Sequence, residues 1–422
     1  MSTSWPGGII SATPLTTVGG EEGSASGMWT IAEVADKVKN ATWPLIGGIN
    51  LGSITTISID YSDCRVEKLT NSTFIQVYDD GTNFKARILT RVPDSFSITK
   101  GSATTLGSNT SGGDVKKILV FSSTLAVAIF GTTNSLWGVV LSISGTTITA
   151  GSITQLFGVD TVAYDLFGAA ILDSTKFIMV GNNGWTQQIV VKAIGISGTS
   201  LSVLASKGGS GNAILEANPG YGYTGYAESG CVCSIDSSNV GFIVRTNAAG
   251  RLVVFNYSGG SLTVAQNTTF NGGYPLHNGI VMLSSTKGWI TWNGYGDNVG
   301  SQSGPLYMRP ITFNGSTFSM GSTITWNNNS PIVYRHTTDY GVPLVKISST
   351  KMGYGIPLNS AGNYVKHYII EPNASSTSLT TGTVSDPDGW YGDGQIGGQH
   401  GALDAKTYWA QKANYLYLAP RT

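Results

Sequence analysis

The chain has 422 residues, and its 24 Lys+Arg balance 24 Asp+Glu for a formal net charge of zero. Only 11% of residues are charged, so neither nucleic acid nor an anionic membrane surface is expected as the main partner. Gly is abundant, at 56 residues, and Ser, Thr and Asn are frequent, a mix that suits short strands and tight turns rather than long helices.

No apolar run approaches the roughly 20 residues of a membrane span, so no membrane insertion is expected. The opening Met1-Ser-Thr-Ser-Trp-Pro-Gly-Gly8 has no basic stretch followed by an apolar core, and no secretory leader is expected. Three cysteines, Cys64, Cys231 and Cys233, form neither a disulfide framework nor a zinc-site pattern.

Residues 1–48 differ in pattern from the rest of the chain. Trp5-Pro-Gly-Gly-Ile-Ile-Ser-Ala-Thr-Pro14 reads as an extended apolar strip bounded by breakers. Gly19 to Gly27 is a small-residue linker. Thr30-x-x-Glu33 is a capping box, and Ile31, Val34, Ala35 and Val38 share one helical face, so a short helix is predicted up to Asn40. About ten helical residues are marginal alone in water and need a docking surface.

From about residue 49 the pattern is β. One phrase recurs: an apolar residue, small polar residues, then a second apolar run. Its seven copies are Leu69–Phe74, Phe121–Leu125, Leu172–Phe177, Ile235–Val240, Leu283–Gly288, Ile347–Met352 and Leu403–Tyr408. They lie roughly 48 to 64 residues apart, near the range of propeller repeats. Within the second repeat, Lys117–Phe121, Leu125–Phe130, Leu136–Leu141 and Thr147–Thr149 read as four strands. A second turn, Ser144-Gly-Thr146, returns as Ser197-Gly-Thr199, Ser258-Gly-Gly260 and Asn314-Gly-Ser316, with looser forms at Pro93-Asp-Ser95 and Asn373-Ala-Ser375.

The predicted fold is therefore all-β: a seven-bladed propeller of four-stranded antiparallel blades over residues 49–422, preceded by the extended segment and short helix. The last repeat offers only three strands, Ala402 to Asp404, Tyr408 to Gln411 and Tyr415 to Leu418. Gly52-Ser-Ile-Thr-Thr-Ile-Ser-Ile59 resembles Gly145-Thr-Thr-Ile-Thr149. The strand at 53–59 is expected to pair with the last blade and close the ring, protecting an edge that would otherwise be open.

In such a ring, the turns between strands one and two and between three and four share one face. The remaining connections share the other. The long segments are all of the second kind: 208–230, 327–341 and 385–401 between blades, and 293–304 within one. The first three carry Tyr221, Tyr223 and Tyr226; Tyr334, His336 and Tyr340; and Trp390 and Tyr391, while Trp292 and Tyr295 flank the last. Aromatic faces beside Asn, Asp and Gln can stack on sugar rings and bond their hydroxyls, so these ten residues form the expected ligand-binding face. The alternative is that they pack the long loops onto their own scaffold.

Catalytic signatures are thin. Gly-x-Ser-x-Gly, His-Glu-x-x-His and a phosphate-cradling Gly-Lys-Ser/Thr do not occur. The four histidines lack metal-ligand spacing, and Asp386, Asp388 and Asp393 match a calcium loop only in part. The expectation is no catalytic residue, no metal and no cofactor. A glycosidase with two distant carboxylates stays open.

Two N-terminal segments, Pro6-Gly-Gly-Ile-Ile-Ser-Ala-Thr-Pro14 and Ser26-Gly-Met-Trp-Thr-Ile-Ala-Glu-Val-Ala35 with Thr42-Trp-Pro44 downstream, resemble a segment of tailed-bacteriophage virion proteins. The resemblance covers about a tenth of the chain. It implies a shared anchor that precedes unrelated C-terminal domains. It further implies location on the virion after assembly in the host cytoplasm, as a tail fibre or appendage, and other virion proteins as partners of residues 1–48. Trp5, Ile9, Ile10, Trp29, Ile31, Val34 and Val38 would form the anchor surface. The expected function is host attachment by a homo-oligomeric structural protein whose propeller binds a host-surface glycan. A polysaccharide depolymerase and a purely architectural tail or capsid component are the alternatives.

Overall fold

The computed structural model describes residues 4–5, 8–9, 64–70, 72–91, 98–109, 113–132, 135–157, 166–183, 188–208, 231–245, 249–271, 275–294, 306–326, 344–346, 349, 352–358, 364–372, 379–381, 410–412 and 415–417. All regular structure among them is β. The predicted helix after Thr30, the closing strand at 53–59 and the strand at Ala402 to Asp404 lie outside the described residues. In the N-terminal strip, Ser4–Trp5 pairs antiparallel with Gly8–Ile9, so this part doubles back where the sequence reads as one extended run.

Six sheets share one plan, an antiparallel meander of four strand positions taken in chain order. The first contains Cys64–Lys68, Thr73–Asp79 and Asn83–Arg91, with Ile98–Lys100 and Thr104–Ser108 in the fourth position. The second contains Asp114–Ser122, Leu125–Thr132 and Ser135–Ser144, then Thr147–Ala150 and Thr154–Phe157. The third runs Leu166–Asp173, Lys176–Asn183, Gln188–Ser197, Ser200–Gly208. The fourth runs Val232–Ser234, Asn239–Arg245, Gly250–Ser258, Ser261–Asn271. The fifth has Pro275–Met282, Lys287–Gly294 and Leu306–Phe313, then Phe318–Met320 and Ile324–Trp326. The sixth runs Leu344–Lys346, Met352–Leu358, Tyr364–Pro372, Leu379–Thr381. A further hairpin joins Ala410–Lys412 to Tyr415–Tyr417.

The first strands of successive sheets lie side by side from the first sheet to the sixth, and Ala410–Lys412 lies beside Cys64–Lys68. The last described hairpin thus neighbours the first sheet, which is the radial arrangement of a propeller.

The core is a series of sheet-to-sheet interfaces. Along Leu125–Thr132, Ala126, Ala128 and Phe130 pack with Ile75, Val77 and Phe84 of the first sheet, while Val127 and Ile129 pack with Phe177 and Met179 of the third. Successive side chains point to opposite faces, and here both faces are covered. That is why these strands read as unbroken apolar runs. Phe84 and Phe130 stack across the first interface with centroids 4.5 Å apart.

The recurring phrase has a local cause. Its small polar residue accepts backbone N–H groups of the turn it opens: Asp236 Oδ1 from Asn239 N at 2.8 Å, Ser284 Oγ from Lys287 N at 3.0 Å, Thr70 Oγ1 from Thr73 N at 3.0 Å. A carbonyl late in the turn then accepts an N–H from the third strand. Ile143 donates to Thr124, Ile196 to Thr175, Tyr257 to Ser238 and Phe313 to Thr286, all at 2.7–2.9 Å. Each of these copies is a clasp binding three strands. The copy at Leu403–Tyr408 lies outside the described residues.

The fourth strand departs from expectation in three sheets. It breaks at Gly101-Ser102, Gly151-Ser152 and Gly321-Ser322, and both halves pair with the third strand. The glycine N–H keeps the ladder intact, donating to Ile88, Val140 and Pro310 carbonyls at 2.7, 2.8 and 2.9 Å. In the first two of these sheets, the close approach of the next sheet explains the glycine. A Cβ on Gly151 would overlap the Thr199 carbonyl oxygen, and one on Gly101 would sit 3.1 Å from that of Thr146.

Candidate functional site

The meander fixes which connections share a face. The clasp turns and the turns at Gly145, Gly198, Gly259 and Gly315 leave one end of the sheets. Those four turn glycines have φ between 59° and 101°, the left-handed region that a tight hairpin demands. The strand ends that flank the long segments are Gly208 and Val232, Gly294 and Leu306, Trp326 and Leu344, and Thr381. All belong to the opposite end.

Of the ten expected ligand-face residues, Tyr221, Tyr223, Tyr226, Tyr295, Tyr334, His336, Tyr340, Trp390 and Tyr391 lie outside the described residues. Trp292 is described, and it requires a correction. It is 2% exposed. Its ring meets Phe270 of the fourth sheet edge-on at 5.2 Å and stacks on its cross-strand partner Tyr307 at 5.5 Å. Trp292 therefore belongs to the interface between the fourth and fifth sheets and presents no open stacking surface. Its indole N–H has no hydrogen-bond partner among the described residues, nor has the buried hydroxyl of neighbouring Thr291.

Among the anchor residues, Trp5 and Ile9 fall in the described N-terminal strand pair, whose side chains are not described. Ile10, Trp29, Ile31, Val34 and Val38 lie outside the described residues.

The same end carries a polar cluster not singled out in the sequence. Asp79 and Asp80 close the connection between the second and third strands of the first sheet. Asp79 Oδ1 accepts from Gly81 N at 2.8 Å, and its Oδ2 accepts from buried Asn109 Nδ2 at 2.7 Å. Asn109 also bonds both main-chain atoms of Gly113, tying the crossover to the second sheet. Asp80 pairs with Lys85. The hydrogen bond from Lys85 holds the Asp80 carboxyl below its ordinary range, and the same bond raises the lysine. Each carboxylate already has partners, so the cluster braces the loop face. The sequence cue was Asp79-Asp80-Gly81, which reads as an ordinary turn.

Lys192 reaches a neighbouring sheet through both its Nζ and an aromatic face. It donates to the Leu156 carbonyl at 2.7 Å and lies 4.7 Å from the Phe157 ring centroid. Leu156 is the extra residue of a bulge, since Leu136 faces Phe157 and Trp137 faces Gln155. Burial pushes the lysine down from its ordinary value.

Among the described residues, no group of three or more His, Cys, Asp or Glu could hold a metal ion. No helix there is long and apolar enough to cross a membrane. Cys64 and Cys231 are buried and Cys233 is half-buried.

No protein-family model and no curated protein matches the chain. Similar solved structures include a Lactobacillus plantarum protein at 10% identity, covering 76% of this chain and 83% of that one, with a TM-score of 0.48. Another is a proposed 6-phosphogluconolactonase of Bacteroides fragilis, at 11% identity over 75% and 81% of the two chains, TM-score 0.45. A third is Saccharomyces cerevisiae Sqt1, at 10% identity over 79% and 88%, TM-score 0.41. At these identities and TM-scores the likeness carries no activity to this chain.

Proposed function

We propose that this chain is a virion structural protein whose repeated-sheet domain binds a host-surface glycan through its long-loop face. The observation that carries this reading is the common end shared by the strand termini flanking the four long segments. Those segments hold Tyr221, Tyr223, Tyr226, Tyr295, Tyr334, His336, Tyr340, Trp390 and Tyr391, aromatic surface on a rigid scaffold. Trp292 acts beneath that face as a packing residue. Residues 1–48 attach the protein to other virion proteins, as the likeness of Pro6–Pro14 and Ser26–Ala35 to phage virion segments implies. In this reading the hairpin at Ala410–Tyr417 belongs to a seventh blade, and the protein is a binding module rather than an enzyme.

The test is a glycan array and a host-cell adsorption assay with the full chain. Binding is expected, together with loss on replacing Tyr334 and Tyr340 by Ala and no change on replacing Ser123 in a clasp turn. Reducing ends released from host polysaccharide would overturn the reading in favour of a depolymerase. Absence of both binding and release would favour an architectural component.

A further inference from the structure

The outer edges of the sheets are not alike. In the first, second and fifth sheets the edge is interrupted at a Gly-Ser step. In the fourth, Ser261–Asn271 runs unbroken, and so does Ser200–Gly208 in the third, whose only described ladder is with Gln188–Ser197. Natural proteins usually blunt such an edge with charge, proline or an interruption. Here the sequence is Ser-Leu-Ser-Val-Leu-Ala-Ser-Lys-Gly, with one charge, near its end. Val203 and Leu204 are 43% and 40% exposed, two of the three large apolar side chains so exposed among the described residues. Leu204 is the extra residue of a bulge, with Ala193 facing Ala205 and Ile194 facing Val203.

We infer that this edge is a homotypic interface, on which Ser200–Gly208 of a second copy pairs antiparallel about a two-fold axis. The strand's own pattern singles out this occupant. In a register centred between Leu204 and Ala205, Leu204 of each copy faces Ala205 of the other and Val203 faces Ser206. Lys207 then faces Ser202, so no two charges oppose each other. Leu204 and Ala205 meet at the axis, Val203 meets the small Ser206, and the polar Ser202 and Lys207 meet each other, so the strand tolerates its own copy without opposed charges. Main-chain hydrogen bonds to the side of the strand that has no ladder among the described residues would continue one sheet into the next. This goes beyond the proposed glycan-binding role, since it uses the rim of the domain and not the long-loop face.

The experiment is sedimentation velocity on the full chain over about a hundredfold range of concentration. A reversible dimer is expected. Val203→Lys and Leu204→Lys place like charges near the axis and should weaken it about tenfold or more. Thr263→Lys, on the exposed edge of the neighbouring fourth sheet, should leave it unchanged. A wild-type monomer throughout, a dimer indifferent to the first two substitutions, or an equal loss in all three variants would each overturn the inference. If the lysine variants fail to fold, amide exchange on the wild type decides. Exchange at 202–206 should slow as concentration rises, and unchanged exchange would overturn the inference.

Discussion

Gln266, on the outer strand of the fourth sheet, pairs through both ends of its side-chain amide with the main chain of Phe318 in the fifth. Nε2 donates to the Phe318 carbonyl at 2.9 Å, and Oε1 accepts from its N–H at 2.6 Å. The side chain imitates a strand neighbour where two sheets meet edge to edge. Arg309 strengthens the same seam by donating to the Phe270 carbonyl at 3.2 Å. Thr104 performs the corresponding task between the first and second sheets, donating to the Ile148 carbonyl at 3.0 Å. Apolar burial between sheets has little direction, whereas these bonds fix how one sheet sits on the next.

Gln266→Ala should therefore destabilise the domain by about 1–3 kcal/mol, because it leaves a main-chain donor and acceptor at a half-buried seam without partners. Urea unfolding monitored by tryptophan fluorescence measures this. A change within experimental error would mean that water replaces the side chain without loss.

Gly151→Ala should also destabilise, by about 1–3 kcal/mol, since the new methyl would meet main chain rather than a movable side chain. Gly145→Ala is the contrasting case. Space is open there, and the cost comes from φ of +59° alone. Rescue of Gly151→Ala by shortening neighbouring side chains would contradict a main-chain clash.

The broken fourth strand also sharpens the expectation about closure. Gly52-Ser-Ile-Thr-Thr-Ile57 matches Gly101-Ser-Ala-Thr-Thr-Leu106 and Gly151-Ser-Ile-Thr-Gln-Leu156 better than it matches the turn at Gly145. It reads as the second half of an outer strand, beginning at the break. If it completes the last blade, Gly52→Ala should cost about as much as Gly151→Ala. Removal of residues 1–60 should lower the melting temperature of the whole domain, and removal of 1–45 should not. Equal melting temperatures for the two truncations would refute closure by this segment.

Two groups predict opposite limbs of the stability–pH curve. Burial works against ionisation of Asp173, but hydrogen bonds from Lys176 and from the N–H and hydroxyl of Thr175 outweigh it, holding the carboxyl below its ordinary range. Its contribution is present above the unfolded carboxylate value near about 3.9 and is lost as pH falls through the depressed folded value. Asp173→Asn should flatten that acid limb. Lys192 is also lowered when folded, by burial. The unfolded chain then holds the extra proton, so stability should rise with pH from the lowered value up to about 10.4. Lys192→Met should remove that rise. Unfolding midpoints measured against pH check both, and an unchanged alkaline limb in Lys192→Met would show that the lysine titrates normally.

Much of the fold was legible because its causes are local. Alternation and Gly-containing turns placed the strands of the second repeat within a few residues, and the clasp phrase marked the first turn of the described sheets. The break at Gly151 was not legible, although its Gly-Ser signature recurs, because its cause is a carbonyl from a different sheet, at Thr199. Trp292 misled for the same reason. Beside a long loop it reads as an exposed aromatic, but Phe270, which covers it, comes from another sheet. The bulged Leu156 and its lysine partner depend on a register that no single strand encodes.

The neighbour relation between Cys64–Lys68 and Ala410–Lys412 sets an order on the chain's assembly. The first sheet buries one face, through Ile75, Val77 and Phe84, as soon as the second forms. Its other face carries Val66, Phe74 and Leu89, a small cluster of its own, on the side away from the second sheet. That side waits for Ala410–Lys412, which lies beside Cys64–Lys68. During synthesis an apolar surface stays open from the first sheet until that hairpin is made, and its completion demands a contact between residues far apart in the chain. Such long-range closure is slow and exposes intermediates to misassembly. Folding of this protein should therefore be limited by the final docking of the hairpin that joins Ala410–Lys412 to Tyr415–Tyr417, with the earlier sheets formed well before it.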